Sequence, residues 1–251
     1  MTASSPPIWG RSTVRAENTA LRQALSAIGA TSGRLLEPGC GAGRFVRTLK
    51  QLRPDIEAHG CDISREAIQL AEASEDGVTY AIGSLSHLPY HDGKFDIVVV
   101  MDVLEHLQDA GAGIAELGRV MRPGGLLHAL VPCEGQPWTL HWAMWKLNIA
   151  ADLKVRHGHH VQRFTRSDVR HLISDSGFVI HHISYSMHAL GQARDVLTYL
   201  RQEAWFQRAK LDNFAFTRLL QVLWGLAYVE SRLLASVPLY SVAQHITATR
   251  E

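Results

Sequence analysis

Cysteine is scarce in this chain: Cys40, Cys61 and Cys133 are all there are in 251 residues. An odd count without paired spacing excludes a disulfide framework and leaves small, reduced side chains. An excess of one charge is also missing. Lys and Arg number 25 against 24 Asp and Glu, for a formal net charge of +1. Such a balance gives no electrostatic attraction toward nucleic acid or an anionic bilayer, and no nucleic-acid partner is expected. The N-terminus holds Pro6 and Pro7 and lacks the basic-then-apolar order of a secretory leader, so a short loose tail is expected there. Internal repeats and low-complexity segments are not evident. Hydrophobic residues make up 46% and charged residues 20%, which reads as a globular, cytoplasmic protein. The length suits one large α/β domain with insertions.

What is present is an alternation of two periods. Val14 to Ile28 carries apolar residues at helical spacing, closed by Gly29 and Gly33. Short apolar strands are predicted at Arg34 to Glu37, Ile56 to Asp62, Val78 to Ile82 and Phe95 to Met101. A fifth is predicted at Leu126 to Val131. Helices are predicted between them at Gly43 to Leu52, from a Ser64 cap to about Ser74, and at Ala110 to Met121. Pro123-Gly124-Gly125 is read as ending the last of these. The run Ile97-Val98-Val99-Val100 suits a central strand buried on both faces. This order implies a doubly wound, mostly parallel sheet. Beyond Pro132 the period fades. Cys133 to Val161 is rich in Trp and His; a helix capped by Ser167 and a strand at Phe178 to Tyr185 follow. Ala189 to Leu239 reads as helical and apolar, and Ser241 to Thr249 as a seventh strand.

The loop Glu37-Pro38-Gly39-Cys40-Gly41-Ala42-Gly43 joins the first strand to the next helix. Glycines there allow positive φ and close approach of a ligand to the main chain, at the strand ends where doubly wound sheets bind ligands. A dinucleotide fingerprint would need a small residue where Arg44 stands, and no Gly-Lys-Ser/Thr follows for a P-loop. Glu37 would repel a pyrophosphate but suits a ligand with an ammonium group. Asp62 ends the second strand, where a carboxylate can accept hydrogen bonds from ribose hydroxyls. Loop and carboxylate together favour an adenosine ligand.

With these residues the chain resembles a class I S-adenosylmethionine-dependent methyltransferase of the broad small-molecule type. Four stretches carry the resemblance: Leu36-Glu37-Pro38-Gly39-Cys40-Gly41-Ala42-Gly43; Gly60-Cys61-Asp62-Ile63-Ser64; Leu88 to Asp96 running into Val103-Leu104-Glu105-His106-Leu107; and Arg119-Val120-Met121-Arg122-Pro123-Gly124-Gly125. The resemblance implies a Rossmann-like sheet of seven strands, with helical insertions after strands five and six. It implies a tail and helix over 1–33 and a cofactor-binding domain over 34–185, whose insertion 133–164 shapes the acceptor site. A helical insertion and closing strand occupy 186–251.

The implied cofactor is S-adenosyl-L-methionine. Glu37, Gly39, Gly41 and Gly43 would hold its methionine part, Asp62 its ribose, and Ile63 its adenine face. Gly83, Ser84 and Leu85 would line the adenine edge, and Met101, Asp102 and Val103 would close the site. Many relatives carry Asp where Ser84 stands, so the adenine amino group would be met by the serine, by main chain or by water. No Asn/Asp-Pro-Pro-Tyr/Phe motif follows strand four, which by the same analogy disfavours amino methylation of nucleic-acid bases or of protein glutamine.

The expected reaction is methyl transfer to a small-molecule or lipid-like acceptor by in-line displacement. A base is needed only for an acceptor of high pKa. His106, His159 and His160 are the candidates, with Glu105 either orienting His106 or solvated. Trp138, His141, Trp142, Trp145 and His157 are expected around an aromatic, partly polar acceptor pocket, and Arg163 could meet an acidic acceptor. Cysteine and carboxylate partners at a recognised spacing are missing around His157-Gly158-His159-His160, so no metal is expected. Leu219 to Val229 is too short to cross a bilayer. Residues 214–239 are read as an ordinary buried helix, a lid, a homodimer face or a peripheral membrane contact. Two other functions stay open: a cofactor-binding protein without catalysis, and a nucleotide-dependent oxidoreductase.

Overall fold

A computed structural model describes residues 18–74, 77–149 and 153–251. The expected loose tail and the first residues of the Val14 helix lie outside them. Seven strands form one sheet: β1 (Gly33–Pro38), β2 (Ile56–Asp62), β3 (Thr79–Ile82), β4 (Phe95–Met101), β5 (Met121–Pro132), β6 (Phe178–Ser186) and β7 (Ala243–Arg250). Their spatial order is β3-β2-β1-β4-β5-β7-β6. All neighbouring pairs are parallel except those of β7, which runs antiparallel to β5 and β6. The doubly wound, mostly parallel sheet expected from the sequence is therefore present.

Helices cover both faces: α1 (Thr19–Ile28), α2 (Arg44–Leu52) and α3 (Arg65–Glu72), then α4 (Ala110–Val120) and, further on, α7 (Arg166–Ser174). Between β5 and α7 stand α5 (Leu140–Lys146) and α6 (Leu153–Gly158). After β6 come α8 (Ala189–Leu200), α9 (Ala204–Arg208) and α10 (Phe214–Leu233). These are the insertions expected after strands five and six. Alternation along β4 sorts the core. Ile97 and Val99 face one cluster with Leu21, Val46, Leu49 and Ile68. Val98 and Val100 face the other, with Ile114, Leu117, Val169 and Ile173.

Local chemistry sets the element ends. Ser64 accepts the Ala67 N–H and caps α3. The cap of α7 is Thr165, not Ser167: Thr165 and Asp168 form a reciprocal capping box. Nor does Pro123-Gly124-Gly125 end a helix. The β4–β5 register jumps from Phe95 opposite Met121 to Ile97 opposite Leu126, so the three residues form a bulge inside β5.

Of the four readings of 214–239, the ordinary buried helix is overturned. In α10 only Leu220 and Ser231 are buried, and Leu219, Val222, Leu226, Val229 and Leu233 are exposed. The helix packs mainly on α8. Among the described residues no helix is long and apolar enough to cross a membrane.

Two histidines stack on neighbouring strands β5 and β7. His128 and His245 are each about 1% exposed, with rings stacked 5.8 Å apart. Burial pushes their pKa values down to about 4 and about 3, with His182 adding to the reluctance of His128 to charge and His128 to that of His245. Both are neutral in the fold and take up protons on unfolding. Their contribution is therefore intact above about pH 6.5 and is lost as pH falls toward 4. For His128 alone the loss is on the order of 3 kcal/mol. Thermal melts from pH 7 to pH 4 are expected to fall less steeply for His128→Gln than for the parent; parallel curves would remove the histidine from the acid response.

Candidate functional site

The residues singled out around the glycine loop converge at the carboxyl ends of β1, β2, β3 and β4. Strand order reverses between β1 and β4, the place where such sheets open a crevice for a ligand. Gly39, Gly41 and Gly43 all have positive φ, at +73°, +52° and +75°. A Cβ on Gly39 would lie 2.5 Å from Val103 Cγ2, which ties the loop to the end of β4. A Cβ on Gly41 would meet nothing within 4 Å, so that residue faces the open cradle.

Two carboxylates frame the loop. Asp62 Oδ2 accepts the Gly41 N–H at 2.7 Å, and its Oδ1 accepts the Ser64 N–H at 2.9 Å. One side chain thus joins the glycine loop to the cap of α3. Glu37 is 3% exposed and accepts the Val46 N–H at 2.8 Å. Burial raises its pKa to about 8, the Val46 bond opposing and the Asp62 charge adding.

The hydrophobic positions sort unevenly. Ile63 is 74% exposed beside the cradle, an unusual place for an isoleucine. Gly83 has no room for a side chain, because Pro89 Cδ would lie 2.5 Å from it. The Ser84 hydroxyl is engaged with Ser86 Oγ at 2.8 Å. The Leu85 side chain is buried in the core.

β4 ends in a sharp turn. Asp102 adopts φ +52°, a conformation rarely held by a residue with a side chain. A single 3-10 turn, Leu104–His106, follows. Asp102 is solvent-exposed, with Lys154, His160, Asp195 and Glu134 near enough to act on its charge. Desolvation lifts its carboxyl to about 6 against the pull of Lys154 and His160. Glu105 is fully buried, which overturns the solvated alternative. Neither of its carboxylate oxygens has a hydrogen-bond partner, and burial raises its pKa well above the usual range. His106 is exposed; its Nδ1–H donates to the His159 carbonyl at 3.1 Å, so Nε2 carries the lone pair. Desolvation lowers its pKa, with the His159 bond opposing.

The 133–164 segment folds onto this turn. The Glu105 carbonyl accepts the N–H groups of Val161 and Gln162. His160 is buried, with its ring 5.0 Å from that of His106, and its Nδ1 lies 3.1 Å from Glu134 Oε1. Lys154 Nζ bridges Glu134 Oε1 at 3.0 Å and Asp195 Oδ2 at 2.7 Å, and His141 Nε2 lies 3.3 Å from that Asp195 oxygen. Burial works against each of these charges, but their mutual attraction prevails. Glu134 is held ionised at about 2, Asp195 is held ionised as well, and Lys154 stays protonated.

Glu134, Lys154 and Asp195 escaped the sequence reading. Glu134 had the same signal as Asp62, an acid just past a strand end. His157 binds Glu203 at 2.5 Å and ties α6 to the start of α9, away from this group. Of the residues expected around an acceptor pocket, His141 and Arg163 line a cavity beside Lys154, while the tryptophans are not among the residues that line it. Trp138 is 74% exposed against Trp142, and Trp145 lies under Arg163. The cavity beside Lys154 has about 20 Å³ of free volume, room for a water molecule. The premise against a metal also changes, since Glu105 supplies His106 and His160 with a buried carboxylate.

Residues 11–183 match the family described as a methyltransferase domain. The chain belongs to that family. This methyltransferase domain is 35% identical over 103 residues to an uncharacterized methyltransferase of Schizosaccharomyces pombe, covering 37% of each chain. It is 30% identical over 125 residues to a demethylmenaquinone methyltransferase of Beutenbergia cavernae, covering 49% of this chain and 51% of that one. The aligned part thus spans about a third to a half of such relatives. A geranyl diphosphate methyltransferase solved with GPP and sinefungin shares the fold at TM-score 0.61 and 15% identity, over 92% of this chain and 77% of that one.

The raised Glu37 carboxyl has a consequence for the methyltransferase domain without ligand. The fold keeps a proton there that the unfolded chain releases above about 4.5, so Glu37 weakens the fold increasingly as pH rises toward 8. Glu37→Gln keeps an acceptor for the Val46 N–H and removes the ionisation. Its melting temperature is expected to match the parent near pH 4.5 and to exceed it at pH 8, a gain on the order of a few kcal/mol. A gain that does not grow with pH would show that Glu37 is not the source.

Proposed function

We propose that the protein binds S-adenosyl-L-methionine at the β1–β4 crevice and transfers its methyl group to a small-molecule acceptor. The observation that carries this reading is the open cradle at Gly41, closed on one side by Asp62 and floored by the buried acid Glu37. The chemistry of the residues fits the cofactor. Glu37 pairs with its ammonium group, whose charge offsets the desolvation of the carboxylate. Gly39, Gly41 and Gly43 admit the methionine part to the main chain. Asp62 has lone pairs left for ribose hydroxyls, and Ile63 packs on the adenine. Gly83, Ser84 and the main chain of Leu85 lie along the adenine edge, while Met101, Asp102 and Val103 close the site.

Bound, the cofactor supplies an electrophilic methyl group on a sulfonium. The protein's part is alignment of the acceptor and exclusion of water. The acceptor side is the β4 turn with the folded-over insertion. His106 presents Nε2 as a lone pair there, able to take a proton or a coordinate bond. His160 stands beside it, and His159 orients His106 through its carbonyl. The acceptors named for relatives make a first panel: demethylmenaquinone, norajmaline and geranyl diphosphate.

Calorimetry with S-adenosylhomocysteine tests the cofactor reading. Asp62→Asn and Glu37→Gln are each expected to weaken binding roughly ten- to a hundredfold, the scale of a lost charge-assisted hydrogen bond. Unchanged affinity in both folded variants, or tight binding of NADH in place of the nucleoside, would sink it. Labelled-methyl transfer to the acceptor panel separates an enzyme from a protein that only binds.

A further inference from the structure

We propose that Glu105, His106 and His160 form a binding site for one divalent transition-metal cation of the Mn²⁺, Fe²⁺ or Zn²⁺ class. One ligand atom from each of the three lies within 4.8 Å of the others. Two donors on opposite sides of a single ion stand about 4–5 Å apart, so one ion can touch all three. Glu105 Oε1 and His106 Nε2 are 3.7 Å apart, too far for a hydrogen bond and close enough to share an ion.

Glu105 is the observation that asks for an occupant. Its side chain is 0% exposed and both oxygens lack a hydrogen-bond partner. A buried carboxylate in that state is unfavourable unless a cation or a proton joins it. Glu134 and Asp195 already share the ammonium of Lys154, which leaves that cation engaged away from Glu105.

The imidazoles are prepared as ligands. His106 has Nδ1 fixed by the His159 carbonyl, which turns its Nε2 lone pair toward Glu105. His160 is anchored by Glu134, whose carboxylate lies 3.1 Å from its ring nitrogen. Carbonyl and carboxylate partners of this kind orient histidine ligands in metal sites. Two imidazoles and one carboxylate select a transition-row ion over Ca²⁺ or Mg²⁺, and three protein ligands leave coordination positions open.

The use of the ion rests on the function proposed above. At the end of β4 it stands on the acceptor side of the cradle. There it suits an acceptor that offers an oxygen lone pair, such as a hydroxyl, and lowers that oxygen's affinity for its proton. Binding of the ion does not depend on that reading.

Tag-free protein, stripped with chelator, is titrated with Mn²⁺ under electron paramagnetic resonance and with Zn²⁺ under calorimetry. One saturable site per chain is expected. Glu105→Gln and His106→Ala should each weaken it at least tenfold. His157→Ala, bonded to Glu203 elsewhere, should leave it unchanged. The exposed His106 can be removed without opening the core, so its variant reads the site even where Glu105→Gln fails to fold. No saturable uptake of either ion, or uptake that survives His106→Ala, overturns the proposal. S-adenosylhomocysteine binding is measured on the same samples: its retention without metal uptake sinks the metal site alone, and its loss beside intact uptake sinks the cofactor reading alone.

Discussion

The burial of β4 on both faces is the constraint from which the rest follows. Ile97, Val98, Val99 and Val100 are all 0% exposed, and their side chains alternate between two apolar clusters. A polar group among Ile97 to Val100 would lose water and find no partner. Chemistry is therefore displaced to its carboxyl end, where Asp102 turns the chain at positive φ and Glu105 and His106 follow. The glycine loop of β1 meets the same end through Gly39 and Val103. The crevice is thus where two buried strands stop side by side, and its position is set by packing before any ligand arrives.

The second organising element is a chain of buried polar side chains. His141, Asp195, Lys154, Glu134 and His160 run from α5 and α8 through α6 to the β4 turn. A network of this kind adds little net stability, because desolvation cancels much of the attraction. Its effect is positional. Each group has few other partners within reach, so the insertion after β5 and the helix after β6 are held in one arrangement over the turn.

Most of the sheet was legible because its signals are local. Ile56–Asp62 and Phe95–Met101 emerge with the bounds expected from their apolar runs. The loop from Glu37 to Gly43 declared itself by its glycines, and Asp62 by its place at a strand end. What stayed hidden depends on contacts between distant segments. Glu105 looks like a surface acid until residues 153–164 fold across it. Lys154 and Asp195 sit in helices without a telling neighbour and meet only in three dimensions. The burial of the Leu85 side chain was hidden too, because the direction of a side chain in a loop is decided by packing. For α10 the buried reading rested on apolar content alone, which does not say how many faces find a partner.

The order of strands has a bearing on how the chain is made. β7 follows β6 in sequence yet lies between β5 and β6, pairing with both. As the polypeptide leaves the ribosome, the β3-β2-β1-β4-β5 half can assemble first, with the outer edge of β5 bare. β6 has no seat until residues 243–250 emerge and slide into the gap. Through that interval two unsatisfied edges persist, a period when the nascent protein is most exposed to intermolecular pairing and most in need of a chaperone.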